Sequence, residues 1–395
     1  MHKPRLLTID IGSYTHGDFL LTLDRMGIEH DDFFYHFPRG NADLKYDNPE
    51  FEALFSKKLG NAYDAVYTTN FYPVIARICH EKGIRYIAWS YDSPINLPDR
   101  REMEHDTNFV FLFDRNECKK YNELGYDNFY HLPLAVNCDR LDKYTASDKF
   151  VTDVSFMGQL YESTLDELKT IMTPEQKKLI NEIVDTQQKI SSRWFVDDIL
   201  TDGLIRELNE HFRALSEKAI QITKEQLSYS IAQQITHIDR IGLLRLISKA
   251  GIDIRLYTYP LTERERILLE GIDVYPPVSY GTEMPCLFKS SKINLNPTLR
   301  NITSGISLRA LDIIGCGGFL LINEQPEAIE AFENGKEAVF YSDLGDALEK
   351  VKYYLVHDEE RKKVAYNGYL KARRDFNYED RISFILRTTG LAPAC

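Results

Sequence analysis

The residues best suited to chemistry lie between positions 292 and 323, in the sequence KINLNPTLRNITSGISLRALDIIGCGGFLLIN. The apolar pattern predicts a short strand, a helix opened by Ser304 and Gly305, a glycine turn and a second buried strand. A helix N-terminus that follows a strand offers free backbone N–H groups and so favours anions. We therefore expect the amides and hydroxyls of Thr303, Ser304 and Gly305 to bind phosphate oxygens.

Three charged side chains of the same stretch could complete a nucleotide-sugar site. Asp312 lies among apolar residues further along the predicted helix, where a carboxylate could accept hydrogen bonds from ribose hydroxyls. Arg300 and Arg309 could bind the phosphates, because a guanidinium group contacts phosphate in a bidentate manner. Surface ion pairs for the two arginines, and an exposed helix position for Asp312, are the alternatives. A phosphate site beside a carboxylate suggests a nucleotide-sugar donor.

A second loop is expected to join this site. Gly158 follows the predicted strand VSFMG, and Gln159 comes directly after it. A glycine at this point lets the backbone approach a diphosphate, although a plain turn glycine is the simpler interpretation of the residue alone. Both loops would lie at strand ends, so we expect them to face the same ligand.

Two residues nearer the N-terminus are candidate bases. His16 lies in the loop GSYTHG after the first predicted strand, and imidazole can take a hydroxyl proton near neutral pH. Asp92 lies in WSYDSP at the end of a later strand and is the better placed of the two. A surface histidine and an Asx turn before Pro94 are the respective alternatives.

The elements that must position these residues alternate between strands and helices. In the first part of the chain the predicted strands cover residues 6–11, 32–37, 64–69, 85–90, 109–113 and 129–132. Such alternation predicts a parallel, doubly wound sheet, which binds ligands at the carboxyl ends of its strands. The loops at residues 12–17, 69–71 and 91–98 would then lie at the ligand-binding edge.

Two domains are predicted, because 395 residues exceed one core of ordinary size. The first covers residues 1–138 and is expected to bind the acceptor. The second covers 139–375, is expected to bind the nucleotide sugar and carries a polar helical insertion at about 163–229. A final helix at about 376–395 could pack back on the first domain. A solvated insertion is favoured over a partner-binding arm. The predicted fold class is α/β, with two Rossmann-like doubly wound domains facing a cleft.

Composition excludes some classes of function. The net charge of −12 argues against a nucleic-acid binder, because a phosphate backbone requires a basic surface. Six scattered cysteines with no CxxC pair favour a reduced, cytoplasmic protein, and no zinc-ligand spacing is present. No signal peptide or membrane-length apolar run is evident, so we expect no integral membrane segment.

The run TLRNITSGISLRALDIIGCGGFLLINEQPE resembles the carboxyl-terminal signature of the CgeB-like spore-maturation glycosyltransferases. These are similar to the group 1 transferases of the GT-B type, which use nucleotide sugars. VSFMGQLY, KINLNPT and FENGKEAVFYSDLGDALEKVKYYL fit the same pattern, and SYDSP and HLPLAVN extend it weakly into the first half. In the broader superfamily two glutamates stand where this chain has Ser304 and Asp312. The resemblance therefore implies a ribose contact at Asp312 and an altered donor-sugar contact at Ser304.

The predicted function is transfer of a sugar from a nucleotide-diphosphate sugar to a hydroxyl group of a glycan, protein or small molecule. The nucleotide sugar is a co-substrate, and no further cofactor or metal is expected. The resemblance alone implies retention of anomeric configuration, whereas an in-line base at His16 or Asp92 would give inversion. Arg309 is the third catalytic candidate. A nucleotide-sugar epimerase and a non-catalytic binding or coat-assembly protein are the alternatives.

Overall fold

The structure is a computed structural model of the 395-residue chain, and it describes residues 4–37, 42–60, 62–95, 97, 99–190 and 193–392. The predicted loop at 91–98 and the predicted final helix thus extend in part outside the described residues, at 96, 98 and 393–395. The chain forms two compact units. The first comprises Met1–Asp139, Ser304–Leu311 and Ala372–Cys395, and the second comprises Arg140–Thr303 and Asp312–Lys371.

The described residues form strands and helices in alternation. The strands are β1 (Arg5–Asp10), β2 (Glu29–Phe34), β3 (Ala65–Thr69), β4 (Arg85–Ser90), β5 (Asn108–Leu112), β6 (Phe129–His131), β7 (Thr152–Met157), β8 (Ile254–Tyr257), β9 (Asp273–Tyr275), β10 (Ser291–Asn296), β11 (Leu320–Asn323) and β12 (Val339–Tyr341). The α-helices are α1 (His16–Met26), α2 (Pro49–Leu59), α3 (Pro73–Glu81), α4 (Arg115–Glu123), α5 (Cys138–Leu141), α6 (Leu165–Thr170), α7 (Pro174–Lys189), α8 (Val196–Ile199), α9 (Asp202–Leu215), α10 (Lys224–Lys249), α11 (Glu263–Leu268), α12 (Glu283–Ser290), α13 (Leu308–Gly315), α14 (Pro326–Ala331), α15 (Leu344–Val356), α16 (Asp358–Asp375) and α17 (Tyr378–Thr388). Short 3₁₀ turns cover Ala42–Lys45, Arg101–Met103 and Asp148–Phe150.

The first unit contains a six-stranded parallel sheet in the order β2-β1-β3-β4-β5-β6. In register, Leu7 of β1 lies opposite Asp31 on one side and Val66 on the other. The chain passes from β1 outward to β2 and then returns to β3 on the opposite side. The sheet therefore reverses its winding between β1 and β3, and ligands of doubly wound sheets bind outside the strand ends at such a point.

The last helix of the chain packs on this first sheet. The Tyr378 ring of α17 meets Trp89 at a centroid distance of 5.9 Å, and Phe384 meets Phe111 at 6.2 Å. Burial of large aromatic rings is a major source of stability, so α17 completes the core of the first unit.

The second unit contains another six-stranded parallel sheet, in the order β12-β11-β10-β7-β8-β9. Its winding reverses between β7 and β10, where Ser155 lies opposite Asn294. The Ser155 hydroxyl donates a 2.9 Å hydrogen bond to Asn294 Oδ1, so this buried polar pair is satisfied inside the sheet.

The insertion of the second unit has an apolar core of its own. Helices α6 to α9 and the first half of α10 share a cluster of buried residues: Leu165, Met172, Ile180, Ile183, Val184, Val196, Leu200, Leu208, Phe212, Ile222, Leu227, Ile231 and Ile235. Helix α10 extends beyond the predicted insertion, because it runs without a break from Lys224 to Lys249. Apolar residues four apart in its first half form a buried stripe among polar neighbours.

The prediction that Ser304 and Gly305 open a helix is also wrong. Helix α13 begins at Leu308, and Ser304 and Gly305 lie in the irregular segment before it. The predicted glycine stop is confirmed. Gly317 has a φ of 75°, and the Gly318 amide donates to the Ile313 carbonyl at 3.0 Å, as at a left-handed helix end. Among the described residues, no helix is both long enough and apolar enough to cross a membrane.

Candidate functional site

In the second unit, Gly158 directly follows β7, the strand at which the sheet reverses its winding. A Cβ atom at this position would lie 3.1 Å from the Phe156 ring and 3.7 Å from Arg240 Nη1. The first distance is tighter than ordinary van der Waals contact. Gly158 is therefore explained by close packing at the strand end, and its predicted contact with a diphosphate stays a prediction.

Arg240 joins the loops on the two sides of this reversal. Its guanidinium group donates to the Gln159 carbonyl and, through Nε at 3.2 Å, to the Pro297 carbonyl. It also lies 4.7 Å from the centroid of the Tyr161 ring. Burial lowers the pKa of Arg240, and these contacts compensate its charge. The sequence prediction missed this residue, although an arginine at the start of the apolar run IGLLRLI signals an unusual burial.

Arg300 forms an ion pair in the same region. Its Nε lies 2.6 Å from Asp239 Oδ2, and the two side chains are only 18% and 16% exposed. Burial raises the pKa of Asp239, and the charge of Arg300 partly offsets the effect. The Arg300 amide also donates to the Thr236 hydroxyl at 3.1 Å, which fixes the loop that leads to Thr303. The ion pair is the alternative weighed for Arg300, and its phosphate contact stays a prediction.

Asp312 is buried, so the alternative of an exposed helix position is wrong. The side chain is 1% exposed, and its Oδ1 accepts a 2.9 Å hydrogen bond from the Tyr280 hydroxyl. The guanidinium group of Arg140 lies 5.3 Å from the centroid of the Tyr280 ring. A carboxylate held in this way is oriented and can accept a further hydroxyl hydrogen bond.

Ser304 and Gly305 belong to the first unit, where they contact an anionic side chain. The Asp114 carboxylate accepts the Ser304 amide at 2.9 Å, the Ser304 hydroxyl at 2.8 Å and the Gly305 amide at 3.3 Å. Asp114 also caps α4 by accepting the Glu117 amide at 3.0 Å. The donors predicted to bind phosphate are therefore occupied by a carboxylate of the protein itself, and the phosphate contact stays a prediction.

Gly305 is held closely against the end of β5. A Cβ atom there would lie 2.6 Å from the Phe113 ring and 2.9 Å from the Phe113 carbonyl oxygen. No larger residue fits without displacing backbone. Arg309 follows as the second residue of α13, half-buried and grouped with the same unit.

His16 is buried at the start of α1, so the surface alternative is wrong. It is 3% exposed, and its Nε2 lies 2.8 Å from Asp32 Oδ1. Burial raises the pKa of Asp32, but hydrogen bonds from His16 and Thr8 outweigh it and leave that pKa below its usual range. Within the described residues, the buried Nδ1 of His16 has no hydrogen-bond partner.

Asp92 lies at the carboxyl edge of the first sheet and is organised by Asn70. The Asn70 side chain donates to Asp92 Oδ2 at 2.8 Å and accepts the Ser90 hydroxyl and the Tyr91 amide at 2.9 and 3.1 Å. Asn70 itself has a left-handed φ of 65°, which asparagine tolerates better than most residues. Asp92 is in contact with solvent, but the protein groups around its carboxyl partly desolvate it and raise its pKa. Lys45 and Asn70 act in the opposite direction. A raised pKa makes this carboxylate a stronger base.

Glu117 is a buried acid behind this loop that the sequence prediction missed. It accepts hydrogen bonds of 2.6 Å from both the Ser93 hydroxyl and the Ile95 amide. Burial raises its pKa to about 7, and the two hydrogen bonds only partly offset that shift. Across the residues that the structure describes, no group of three or more His, Cys, Asp or Glu side chains is arranged to hold a metal ion.

Comparison with protein families gives one match. Residues 240–387 match the model of a family described as glycosyl transferase-like. The matched part is less than half of the chain, and it contains Arg240, Arg300 and Asp312. No curated protein is significantly similar in sequence to this chain.

Several solved structures share the fold. Sucrose-phosphate synthase from Thermosynechococcus elongatus has a TM-score of 0.58 at 9% identity, over 99% of this chain and 100% of that one. The α,α-trehalose 6-phosphate synthase of Burkholderia multivorans has a TM-score of 0.57 at 12% identity, over 99% of each chain. The Anabaena protein HepE, in complex with UDP and glucose, has a TM-score of 0.52 at 10% identity, over 98% of this chain and 100% of that one.

The predicted α/β fold class is confirmed: two parallel, doubly wound sheets match these glycosyltransferase structures of the GT-B type. At such low identity the structures show the fold alone. The family match and the shared fold together support glycosyl transfer. They do not support the two alternatives, an epimerase and a non-catalytic protein.

Proposed function

We propose that the protein is a glycosyltransferase that moves a sugar from a nucleotide-diphosphate sugar to a hydroxyl group of an acceptor. One observation carries the proposal. The glycosyl transferase-like match at residues 240–387 contains Arg240, which links the loops after β7 and β10 at the winding reversal of the second sheet. Ligands of such sheets bind at this point. The motifs quoted above make a CgeB-like member of group 1 our proposed subfamily, and the scattered cysteines make the cytoplasm its proposed location.

The second unit is proposed to hold the nucleotide. Gly158 and Gln159 would lie along the diphosphate, and Arg300 and Thr303 would approach it from the loop after β10. Asp312 would accept hydrogen bonds from the ribose, since its carboxylate is buried and already oriented by Tyr280.

Ser304, Gly305 and Arg309 belong to the first unit, and their contact with a phosphate group is a separate proposal. The Asp114 carboxylate accepts the Ser304 and Gly305 amides, so a phosphate group has to displace it before it can use these donors. Electrostatic stabilisation of the departing diphosphate by such amides and by Arg309 would lower the barrier to transfer. Ser304 cannot supply the carboxylate of the superfamily, so recognition of the donor sugar would rest on other groups.

In the transfer step, the acceptor oxygen forms a bond to the anomeric carbon while the bond to the diphosphate oxygen breaks. The hydroxyl proton passes to a base of the enzyme or to the departing diphosphate. We favour Asp92 over His16 as the group that receives or orients this proton, because Asp92 is exposed whereas His16 is buried against Asp32. No metal and no cofactor beyond the nucleotide sugar are proposed, so EDTA should leave the rate unchanged.

Retention of anomeric configuration is proposed on the family resemblance. If Asp92 instead acts as an in-line base, the product is inverted. NMR of the purified product, from the coupling constant of its anomeric proton, distinguishes the two outcomes.

The proposal is tested most directly by thermal shift with UDP, GDP, TDP and ADP sugars. Binding to the folded state raises the melting temperature, and a ligand at a hundred times its Kd stabilises by about 3 kcal/mol. We expect one nucleotide series to raise the Tm and the others to have little effect. If isothermal titration also finds no binding of any nucleotide diphosphate or its sugars, the glycosyltransferase proposal is wrong.

A further inference from the structure

The carboxyl edge of the first sheet carries three tyrosines on adjacent strand ends. Tyr14 follows β1, Tyr72 follows β3 and Tyr91 follows β4, and these strands are neighbours in the sheet. Tyr14 and Tyr72 therefore stand on the two sides of the winding reversal between β1 and β3, where ligands of doubly wound sheets bind. The proposed function places the acceptor hydroxyl at Asp92 on this edge, but it does not name the kind of molecule that carries this hydroxyl.

The tyrosines form one cluster with different exposures. Tyr14 is 56% exposed, while Tyr72 and Tyr91 are half-buried. Burial raises the pKa of Tyr91, and the phenol lies near enough to Asp92 and Tyr14 for these groups to raise that pKa further, while the Ser13 side chain acts in the opposite direction. Desolvation likewise raises the pKa of Tyr72, so both phenols stay neutral. The Tyr72 ring is stacked on Phe37 at a centroid distance of 5.1 Å.

Polar groups alternate with the rings. Asp92 is exposed beside Tyr91, and the Asn70 amide holds it at 2.8 Å. The Lys45 ammonium group lies 5.6 Å from the centroid of the Tyr72 ring. The edge thus offers aromatic faces together with a carboxylate, an amide and a cation, all near the ends of adjacent strands.

We propose that this edge binds a saccharide, and hence that the acceptor hydroxyl belongs to a sugar ring; the inference rests on the proposed glycosyltransferase function. A pyranose has an apolar C–H face and a polar rim. The electron-rich face of a tyrosine suits the former, and Asp92 with Asn70 suits the hydroxyls of the latter. Tyr14 supplies the exposed stacking face.

Other acceptors fit less well. A lipid requires a continuous apolar surface, but here Asp92, Asn70 and Lys45 interrupt the rings. A peptide bound by strand addition requires a free sheet edge, whereas this cluster lies at the carboxyl ends of strands that are paired within the sheet. A saccharide fits best, because its apolar C–H face and polar hydroxyl rim match the alternation of aromatic and polar side chains at this edge.

The test is saturation-transfer NMR of the full-length protein with methyl α-glucoside, methyl α-galactoside, methyl α-mannoside, N-acetylglucosamine and their disaccharides. We expect at least one to receive saturation at its ring C–H protons. The Tyr14→Ala variant should weaken its binding about fivefold or more, while Tyr14→Phe keeps the ring and should bind nearly as wild type. Tyr366→Ala is the matched control, because Tyr366 is 61% exposed on α16 of the second unit.

The nucleotide-sugar thermal shift, repeated on Tyr14→Ala, separates the two proposals. An unchanged donor shift with lost saccharide binding supports the inference. A donor shift in wild type with no bound saccharide, or with equal saccharide binding in Tyr14→Ala, overturns it and leaves the glycosyltransferase proposal standing. Transfer to a serine- or threonine-containing peptide with no transfer to any saccharide also overturns it. Absence of a donor shift in wild type defeats the glycosyltransferase proposal and the inference that rests on it.

Discussion

At the scale of single residues, three buried acids near the ends of the sheets are held in different ways. Asp114 accepts backbone and hydroxyl donors from Ser304 and Gly305, and Asp312 accepts the Tyr280 hydroxyl. Glu117 accepts only two donors, and its pKa is raised to about 7. At Glu117, burial therefore outweighs the two hydrogen bonds and favours the protonated form.

Asp312 provides the sharpest test of the donor site. Asp312→Ala should weaken nucleotide-sugar binding by about 1–3 kcal/mol, because it removes a buried acceptor and leaves its partners unpaired. Tyr280→Phe removes only the orienting hydroxyl and should cost less. Isothermal titration with the nucleotide sugar that binds best measures the affinity of both variants. Glu359→Ala is the control, because Glu359 is an exposed residue of α16. Unchanged affinity in Asp312→Ala would remove this residue from the site.

Glu117 should make the stability of the protein depend on pH. Its pKa is about 7 in the folded state, against an ordinary value of 4.5, so the folded protein binds more protons between these values. Stability therefore falls as the pH rises through that interval. Glu117→Gln cannot ionise, so between pH 5 and pH 8 it should lose less stability than wild type. The difference should be on the order of a few kcal/mol.

Urea unfolding at several pH values measures this difference. Glu123→Gln is the matched control, because Glu123 is 66% exposed on the same helix, α4. The control should follow the wild-type curve. Parallel curves for Glu117→Gln and wild type would show that Glu117 is not protonated in the folded protein near neutral pH.

At the scale of elements, the insertion should respond to core mutations as a local unit. Phe212 is fully buried on α9, and Leu215 is 60% exposed on the same helix. Phe212→Ala should cost about 3–5 kcal/mol, whereas Leu215→Ala should be close to neutral. Hydrogen exchange should then quicken in α7 and α9 while β7 and β10 keep their protection. Equal quickening in those strands would show that the insertion and the sheet unfold together.

The elements show how far local patterns reach. The predicted bounds of β4 (Arg85–Ser90) agree with the structure, because turn residues enclose a short run of β-forming side chains. Helix α2 was missed, although Asn48 caps it and Pro49 opens it. The start of α13 was misplaced because the Ser304 hydroxyl is bound to Asp114, 190 residues away in sequence.

The candidate site shows the same limit. The types of Asp92, Arg300 and Asp312 and their places at strand ends or on the helix after β10 were readable from the sequence. Their partners, Asn70, Asp239 and Tyr280, were not, because each pair joins residues far apart in the chain. Arg240 was missed for that reason too: only the folded sheet brings the carbonyls of Gln159 and Pro297 to one side chain.

At the scale of the whole molecule, the first unit is built from separate parts of the chain. The Val136 amide donates to the Phe376 carbonyl at 2.8 Å, and Arg373 Nη2 lies 2.5 Å from Asp139 Oδ1. The chain thus leaves this unit near residue 139, returns to it briefly at Ser304–Leu311, and re-enters it near residue 372 close to the point where it first left. Such closely placed ends can be joined by a short linker.

A shortened protein tests whether this unit folds by itself. Residues 4–139 joined through a short glycine linker to residues 372–392 should unfold in one cooperative thermal transition. Residues 4–139 alone should not, because Trp89 and Phe111 lose the rings that α17 packs on them. Circular dichroism during heating measures both. A cooperative transition in the shorter fragment would show that α17 is dispensable for the fold.

The long helix α10 has a consequence for how such proteins diverge. In its first half Leu227, Ile231 and Ile235 belong to the core of the insertion, and in its second half Ile241, Leu244 and Ile247 belong to the core of the sheet. Helices α6 to α9 can therefore be lengthened, replaced or lost during evolution while the second half of α10 stays packed on the strands. Sequence variation among relatives should therefore be high in the first half of α10 and low in its second half.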